Sequence, residues 1–532
     1  MVNKKDIPNI PQEKFRFVES GRLAHEAKLD TKPHSYMYDA FLRFCKNKGS
    51  VVAAIIIIIM VLFAIITPFC TPYKVSYNDV NFQFALPKLH LFENTDFWDG
   101  CTVRTAGFQD FIVDYATSTE LDNAKEGNGG HRVIKNLKYK TIEGEDGQTL
   151  YVYRWDTYHQ LGTIYKQIST DEYEMIQQYQ NDTGNQVLYP TVRPRNRPQA
   201  SQDNNDAKYY FETKMVNNKT EIVLDENGNV IPVYWQDTAA NLEDGYHSLR
   251  IEGQEGFEVN GETYFYAYSR YVSGGDVEVR INYYEYYIFY HTRVLKDGIT
   301  EPYFIFGTTD SGRDILTCLS AGARFSFIFA IAIATVNMLI GAIWGAISGY
   351  YGGAADLVME RITDVLSAVP MMIVITLLKY HMEGTSQILI LFLAFIATGW
   401  IGMAGTVRMQ FYRFKNQEYV LAARTLGAKD FRVMFKHVFP NSLGTLVTSC
   451  ALVIPGMIFS ETSLTYLGII SLTSGEITSV GTLIAAGQPY LTTWPHIVAF
   501  PSVFLALLML SFNLFGNGLR DAFNPTLRGS EG

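Results

Sequence analysis

Residues 51–67, VVAAIIIIIMVLFAIIT, decide the fold, because this stretch contains no charged side chain. About 20 apolar residues are needed to cross the roughly 30 Å hydrocarbon core of a bilayer, and the run 51–70 is that long. A cleaved signal peptide is the alternative, but a polar tail precedes this run and no small-x-small cleavage site follows it. The sequence therefore predicts a retained transmembrane helix at 51–70.

Five further apolar stretches follow in the C-terminal part of the chain. Pro and Gly inside them are tolerated, because neighbouring helices and water satisfy the backbone groups that these residues leave free. A soluble protein with buried core helices is the alternative, but repeated long uncharged runs are typical of membrane spans. With residues 51–70 the sequence predicts six transmembrane helices, the later five at 325–348, 364–378, 388–404, 443–466 and 495–515.

Residues 74–300, between the first two spans, differ in composition from the rest of the chain. They hold 21 Lys and Arg, 34 Asp and Glu, and 23 of the 34 Tyr, so this stretch is acidic while the remainder is slightly basic. Its negative charge opposes binding to nucleic acid. The stretch is also long enough to bury a core of its own. We therefore interpret 74–305 as an inserted domain.

Turn and strand signals indicate that this inserted domain is of the α+β class. Asn227–Gly228 and Asn260–Gly261 each separate two strand-like runs, as in β-hairpins. A capping box from Ser169 to Glu172 predicts the start of a helix. The aromatic run at 276–294 is interpreted as a further strand, and 193–208 as a polar loop. Two interpretations of the Tyr excess stay open: packing within the sheets and core, or an exposed docking surface for a binding protein or peptide.

The distribution of Lys and Arg predicts the orientation of the spans, since short loops rich in these residues stay in the cytoplasm. Seven of them lie within 405–442, and others precede the first span and follow the last. The loops near 379–386 and 467–494 offer only one lysine. The tails at 1–50 and 519–532 and the loop at 405–442 are therefore expected to be cytoplasmic, and the inserted domain extracellular.

The loop at 405–442 contains the sequence NQEYVLAARTLGAKDFRVMFKHVFPNS, which starts at Asn416. A short helix is predicted at 418–426, and Gly427 stands where a C′ glycine ends a helix. A second amphipathic helix is predicted from about 429 to 438, ending before Pro440. Such a loop either lies on lipid headgroups or is buried by another chain. The short helix has one apolar and mostly small face with the spacing i, i+3, i+4 and i+7, formed by Tyr419, Ala422, Ala423 and Leu426.

Several stretches occur in the order typical of permease subunits of ATP-binding-cassette (ABC) importers. EYVLAARTLGAKDFRVMFKHVFPN resembles the Glu-Ala-Ala coupling loop of that family, and FGTTDSGRDILTCLSAGARFSF resembles the segment before the second span in its oligopeptide/dipeptide branch. GYYGGAADLVMERITDVLSAVP, ETSLTYLGI and FNLFGNGLRDAFNPTLR continue the resemblance to about residue 528, in the order of the C-type subunit. The positions that match the coupling motif are Glu418, Ala422, Ala423, Gly427, Pro440 and Asn441.

Two features depart from the family pattern. About 235 residues separate the first span from the Gly-Thr-Asp-like segment, where the family has some tens. The stretch SLTSGEITSVGTLI, before the last span, lacks the prolines that the family has there. The resemblance therefore does not explain the inserted domain, and it does not predict the shape of the outer-gate loop before the last span.

The resemblance implies the fold of a type I ABC importer permease: a polytopic α-helical membrane protein with six transmembrane helices, five of them in a core at 306–518. It implies the plasma membrane of a bacterium, and transport of oligopeptides or dipeptides by alternating access. The implied partners are a homologous second permease subunit (a heterodimer), two cytoplasmic ATPase subunits that dock on the Glu-Ala-Ala loop, an extracellular solute-binding lipoprotein and a peptide substrate.

No catalytic role is expected for this chain. It contains no Walker phosphate loop, GxxxxGK followed by Ser or Thr, so ATP and Mg are expected to bind to the partner ATPase subunits. No metal or cofactor site is predicted, since the five cysteines have no CxxC spacing. Two alternatives remain: an importer of nickel or another small solute, and a membrane-anchored surface receptor that acts through the extracellular domain.

Charged residues near the start of the second span allow a structural and a functional interpretation. Asp310, Arg313 and Asp314 precede the span, where Asp310 or Ser311 is expected to cap the helix. The resemblance implies instead an elbow on the outer face that anchors the span. Arg324 is interpreted as a snorkelling interface anchor rather than a ligand of the substrate.

Two further polar features lie in or beside the apolar stretches. Glu461 is a carboxylate within a predicted span, and such groups face a cavity or a partner. A role in the pathway and a structural pairing role both stay open for it. Four charged residues near the start of the third predicted span are expected to form a polar patch next to the ATPase subunits, or a solvated loop. They are Asp356, Glu360, Arg361 and Asp364.

Overall fold

The computed structural model describes residue 254 and the ranges 36–92, 95–122, 133–144, 147–192, 210–216, 219–237, 256–272, 275–472 and 478–523. The polar loop predicted at 193–208 and the outer parts of both predicted tails lie outside these ranges. The chain begins with α1 (Tyr36–Lys46) and α2 (Lys48–Cys70), and α2 contains the first predicted span. Asn47 caps α2, because its side-chain oxygen accepts a hydrogen bond from the Ser50 amide at 3.3 Å.

The described part of the inserted domain is built from two antiparallel sheets and two further hairpins. Its described strands are β1 (Cys101–Ala106), β2 (Ile134–Glu143), β3 (Thr149–Asp156), β4 (Thr163–Ser169), β5 (Leu188–Tyr189), β6 (Thr213–Val216), β7 (Lys219–Ile222), β8 (Phe257–Val259), β9 (Glu262–Tyr264), β10 (Ser269–Tyr271) and β11 (Asp276–Asn282). The sheets have the orders β1-β3-β2 and β10-β11-β4, and β5 also pairs with β11. Helices α3 (Phe108–Asp122) and α4 (Thr170–Thr183) complete the α+β fold, and Ile176 of α4 shares one buried cluster with Val279 of β11.

Local signals in the inserted domain are confirmed where they depend on one or two residues. The hairpin between β8 and β9 turns at Asn260 and Gly261, whose φ angles are +54° and +83°. A type I′ turn needs a positive φ at both central positions, and Asn-Gly provides it at low cost. The Ser169 hydroxyl accepts a hydrogen bond from the Glu172 amide at 3.1 Å and caps α4, as the capping box predicts.

The predicted strand at 276–294 is wrong for its second half. Strand β11 ends at Asn282, and the tyrosine run forms helix α5 (Tyr283–Phe289) and a π-helical turn to Leu295. The Asn282 side chain caps α5, because its oxygen accepts a hydrogen bond from the Tyr284 amide at 3.1 Å. The tyrosines at 283, 286, 287 and 290 have the spacing of one helix face, so helical burial outweighs their strand propensity.

The C-terminal part of the chain forms a helical frame. Within the described residues five helices are long and apolar enough to cross a membrane, or six if a bent pair counts as one span. This frame and the α+β domain confirm the predicted fold class. We call the end of the frame that carries α10 the loop end, and the end that carries the inserted domain the domain end. The helices are α6 (Ile315–Tyr351), α7 (Gly353–Ser367), α8 (Met371–His381), α9 (Gln387–Phe414), α10 (Glu418–Thr425), α11 (Asp430–Tyr466), α12 (Val480–Gly487) and α13 (His496–Phe523).

The third predicted span, 364–378, is not the single helix that the sequence predicts, because the chain breaks at Pro370. The two pieces α7 and α8 meet at an angle of 74°. Proline has no amide hydrogen and disfavours helical backbone in the residue before it, so α7 ends at Ser367 and Pro370 stands at the N-terminus of α8.

The predicted end of a helix before Pro440 is also wrong. Helix α11 runs through this position as one unit of 37 residues. A π-helical turn, Val433–Val438, precedes an α-helical part that starts at Phe439. Pro440 therefore occupies one of the first two positions of that α-helical part, where its missing amide hydrogen is tolerated.

Helices α6 and α9 approach each other closely along three glycines spaced four residues apart. A Cβ atom at Gly341 would lie 2.8 Å from the Trp400 carbonyl oxygen, and one at Gly349 would lie 2.7 Å from the Arg408 carbonyl oxygen. Gly345 stands between them and faces Val407 in the same way. Small residues at this spacing allow helix backbones to approach in membranes, where packing contacts drive association.

The inserted domain contacts the domain end of the frame through aromatic side chains. Phe84 stacks on Trp494 with 5.5 Å between ring centroids and meets Tyr490 edge-on at 4.8 Å. Trp98 lies parallel to Phe500 of α13 at 6.0 Å. Aromatic pairs of this kind are worth about 0.5–1.5 kcal/mol each beyond their buried area. These contacts join the inserted domain to α13 and to the residues before it.

The two ends of the inserted domain lie side by side. The Tyr73 hydroxyl accepts a hydrogen bond from the Tyr303 amide at 3.1 Å. Nearby, the Tyr283 hydroxyl donates to the Asp79 carboxylate at 2.6 Å. Burial and the negative charge of Asp79 raise the pKa of Tyr283, so this tyrosine stays a neutral donor. The chain therefore leaves the frame and returns to it within one hydrogen-bonded junction.

Candidate coupling site

The segment at 415–430, which we call the coupling segment, joins α9 to α11 at the loop end. Its helix α10 ends in a Schellman motif. The Gly427 amide donates to the Arg424 carbonyl at 2.9 Å, and the Ala428 amide donates to the Ala423 carbonyl at 3.0 Å. Gly427 has a φ of +84°, a conformation that glycine adopts without strain. The sequence prediction that Gly427 ends this helix is confirmed.

The small apolar face predicted for α10 points away from the frame. Leu426 is 88% exposed and Tyr419 is 41% exposed. Ala422 is exposed and Ala423 is half-buried, and Phe431 at the start of α11 is 70% exposed. Apolar side chains that protrude together at one place mark an interaction surface. The frame itself leaves this face without cover.

Helix α10 is nevertheless fixed to the frame, through Val420 on its other side and through the hydroxyl of Tyr419. Val420 is completely buried in an apolar cluster with Val433 and Phe411. The Asn441 side-chain amide donates to the Tyr419 hydroxyl at 3.2 Å, so two positions of the coupling motif contact each other across α10 and α11. Glu418 and Pro440, also in that motif, are exposed.

The end of α6 contacts the coupling segment directly. The Tyr350 hydroxyl donates to the Asp430 carboxylate at 2.6 Å, and the Arg424 guanidinium lies 5.0 Å from the centre of the Tyr350 ring. The Lys415 ammonium donates to the Gly349 carbonyl at 2.8 Å. One helical turn of α6 is thus held by three residues of the coupling segment.

The predicted polar patch divides into two parts. Asp356 is only 7% exposed and forms a bidentate ion pair with Arg408 of α9, with N–O distances of 2.6 and 2.7 Å. The third nitrogen of that guanidinium lies 2.8 Å from the Glu360 carboxylate. Arg361 and Asp364 pair with each other at 3.0 Å on the exposed side of α7. The patch is therefore partly a buried joint between helices.

The elbow residues before α6 lie at the domain end. Asp314 caps α6, because its carboxylate accepts from the Thr317 amide at 2.9 Å and is 4% exposed. The prediction that Asp310 or Ser311 caps this helix is therefore wrong, since the turn at 308–314 places α6 four residues later. Arg313 is half-buried, and Arg324 is exposed within the first turns of α6.

Glu461 of α11 is completely buried. Its carboxylate accepts a hydrogen bond from the Ser326 hydroxyl of α6 at 3.0 Å. The next residue, Thr462, packs closely against Gly481 of α12. The structure therefore brings Glu461 into a polar contact between helices at the domain end.

Sequence reasoning missed the residues that connect these parts. Tyr350, Arg408, Tyr412 and Asp430 all make short polar contacts at the loop end. One signal was available: Arg408 follows an apolar run on the same helix, and such a charge requires a partner. Its partner Asp356 is 52 residues away in sequence.

Two family models match this chain. The model described as "Binding-protein-dependent transport system inner membrane component" matches residues 341–529, and "N-terminal TM domain of oligopeptide transport permease C" matches residues 35–87. Residues 88–340, which include most of the inserted domain, lie outside both matches.

Curated relatives agree with these models. The chain is 45% identical over 224 residues to the oligopeptide transport system permease protein OppC of Bacillus subtilis (strain 168), covering 42% of this chain and 72% of that protein. It is 39% identical over 226 residues to the dipeptide transport system permease protein DppC of the same strain, covering 42% and 69%. It is also 39% identical to OppC of Haemophilus influenzae over 225 residues, covering 42% and 71%. The chain therefore belongs to the oligopeptide/dipeptide family of ABC transporter permeases, which are multi-pass proteins of the inner membrane.

Proposed function

We propose that this chain is the C-type permease subunit of an importer that moves oligopeptides or dipeptides across the cytoplasmic membrane by alternating access. The observation that carries the proposal is the exposed apolar face of α10, together with the contacts that fix this helix to the frame through Val420 and Tyr419. A helix held in this way transmits force from a bound partner, because Val420 and Tyr419 tie it to the spans.

The surface around α10 has the chemistry of a docking site for an ATPase subunit. Ala422 and Ala423 permit close approach, and Leu426 protrudes far enough to fill a pocket. Basic residues lie in and beside α10 in the sequence, so the groove that receives this face is expected to be acidic. They are Arg413, Arg424, Lys429, Arg432 and Lys436.

The remaining features of the assembly follow from the same proposal. The excess of Lys and Arg at the loop end favours a cytoplasmic location for this end and both termini, and an extracellular location for the inserted domain. A homologous permease subunit, two ATPase subunits and an extracellular solute-binding lipoprotein complete the importer. ATP and Mg are bound by the ATPase subunits, so this chain is not itself an enzyme. The named relatives transport oligopeptides and dipeptides, which favours peptide cargo over nickel.

The variant Ala423→Trp tests the proposal. A bulky ring on the docking face should leave the protein in the membrane, but reduce both co-purification of the ATPase subunits and peptide uptake to background. Ala499→Trp is the matched control, because Ala499 is exposed at the domain end of α13, far from α10. Normal uptake and normal co-purification in Ala423→Trp would contradict the assignment.

A further inference from the structure

Asp356, in the first turn of α7, is held by donors from two other helices. Its carboxylate accepts two hydrogen bonds from the Arg408 guanidinium and one from the Tyr412 hydroxyl at 2.5 Å, all from α9. The Ser348 hydroxyl of α6 donates a fourth. A carboxylate has about four acceptor positions. Each of them is occupied here, so Asp356 is a fully satisfied joint between α6, α7 and α9.

This joint is continuous with the coupling segment. Ser348 is followed by Gly349 and Tyr350, the two residues of α6 that the coupling segment holds through Lys415 and Asp430. A single turn of α6 is therefore hydrogen-bonded to two parts of the chain: to Asp356 of α7 and to the coupling segment. The coupling segment is therefore connected to Asp356 by hydrogen bonds to this turn and by the backbone of α6 between Ser348 and Tyr350.

Helix α7 has little else that fixes it. Asp356 is the one buried residue among its 15 residues, and its apolar side chains, such as Leu357 and Val365, are 59% and 70% exposed. The break at Pro370 separates it from α8 at an angle of 74°. A cavity of about 130 Å³, lined by Thr363 and Ser367 among other polar residues, lies between α7 and its neighbours. Helix α7 is therefore positioned by a polar contact at one end and a hinge at the other.

From this geometry we propose that Asp356 and Arg408 are positioning residues for transport. They carry the movement of the coupling segment to α7, and so couple ATP use in the partner subunits to the rearrangement of the frame. This inference rests on the proposed function, because it assumes that the coupling segment is moved by an ATPase subunit. It adds the route by which that movement enters the spans.

The chemistry of the pair suits this role better than a role in stability. A buried ion pair seldom stabilises a fold more than apolar side chains of the same size, because removing two charges from water is costly. A bidentate guanidinium–carboxylate pair does fix distance and orientation, which sliding apolar contacts do not. Lysine keeps the charge at position 408 but lacks the planar fork, so Arg408→Lys separates geometry from charge.

The test uses the complete importer in liposomes and measures ATPase co-purification, ATP hydrolysis and peptide uptake. In Arg408→Lys the ATPase subunits are expected to co-purify normally and to hydrolyse ATP, while uptake per ATP falls by about tenfold or more, because the bidentate geometry is lost. Arg361→Lys is the matched control. It alters an exposed pair on α7, the helix of Asp356, and exposed pairs contribute little, so uptake per ATP should stay within about twofold.

A second variant protects the test against misfolding. Asp356→Asn with Arg408→Gln removes both charges, so that no unpaired charge is buried, and it should also assemble and lose coupling. The proposal is overturned if both variants keep normal uptake per ATP. It is also overturned if both variants fail to bind the ATPase subunits, since the pair is then a structural support of the docking site. Failure of the proposed function is a separate result, seen as normal transport by Ala423→Trp.

Discussion

Leu426 offers a quantitative test of the coupling surface. Its side chain is 88% exposed, so Leu426→Ala removes almost nothing that stabilises this chain. If the side chain is buried in a groove of an ATPase subunit, losing three carbon atoms costs about 2.4 kcal/mol, at about 0.8 kcal/mol for each. Since about 1.4 kcal/mol corresponds to a factor of ten, the dissociation constant for the ATPase subunit should rise by about 50-fold.

The assay is the affinity of the purified permease pair for its ATPase subunits, measured in detergent at constant salt. Leu91→Ala is the matched control, because Leu91 is 80% exposed in the inserted domain and the same three carbon atoms are lost. The thermal unfolding temperature of both variants should match that of the unaltered protein. An affinity within twofold of normal for Leu426→Ala, or an equal loss in Leu91→Ala, would refute the reasoning.

Three further substitutions test other parts of the molecule. Arg280→Met should destabilise the inserted domain by about 3–5 kcal/mol, because it leaves the Glu120 carboxylate buried without its ion pair. Adding Glu120→Gln should recover most of this loss, as measured in a thermal melt. Phe84→Ala removes two ring contacts worth about 0.5–1.5 kcal/mol each. Hydrogen exchange of the backbone amides at 488–494 should therefore become faster, and unchanged exchange would contradict the aromatic contact. Gly345→Leu should lower the melting temperature in detergent, because overpacking costs about 1–3 kcal/mol. Gly402→Leu is the control and should leave the melting temperature unchanged, because there is open space where the Cβ of residue 402 would lie.

The spans could be predicted from the sequence more reliably than their ends. Charge-free runs report the thickness of a bilayer, and each predicted run lies at least partly within a helix. Helix ends depend on packing instead. Helix α9 continues from the predicted end at 404 to Phe414, because Val407 and Phe411 on this stretch pack against the glycine face of α6. Nothing in the local hydropathy of 405–414 indicates that contact.

The tyrosine run after β11 illustrates a conflict between two local signals. Tyrosine has a high strand propensity, and the preceding residues alternate as a strand does. The same tyrosines also repeat with helical spacing, and the change of state occurs at Asn282, a good N-cap. Burial against Ile176 and the neighbouring core decides the outcome, and burial is a tertiary property that the run itself does not contain.

The coupling site also contains one part that the sequence predicts and one part that it does not. The end of α10 at Gly427 follows from a short-range rule about left-handed backbone, and it could be predicted. The joint at Asp356 could not, because Arg408 and Tyr412 lie 52 and 56 residues away in sequence. Only the packing of α6 on α9 brings their side chains to the start of α7. A polar patch was the most that the sequence alone could indicate.

The inserted domain is compatible with the frame because its two ends meet. Tyr73 and Tyr303 are joined by a hydrogen bond although 230 residues separate them, and the entropic cost of closing a loop grows only slowly with its length. A large domain can therefore leave and rejoin the frame at neighbouring points between α2 and α6. The domain does not stand apart from the frame, however, because Phe84 and Trp98 contact Trp494 and Phe500 near the start of α13. The inserted domain thus contacts the last span at the end of the frame opposite to the coupling segment.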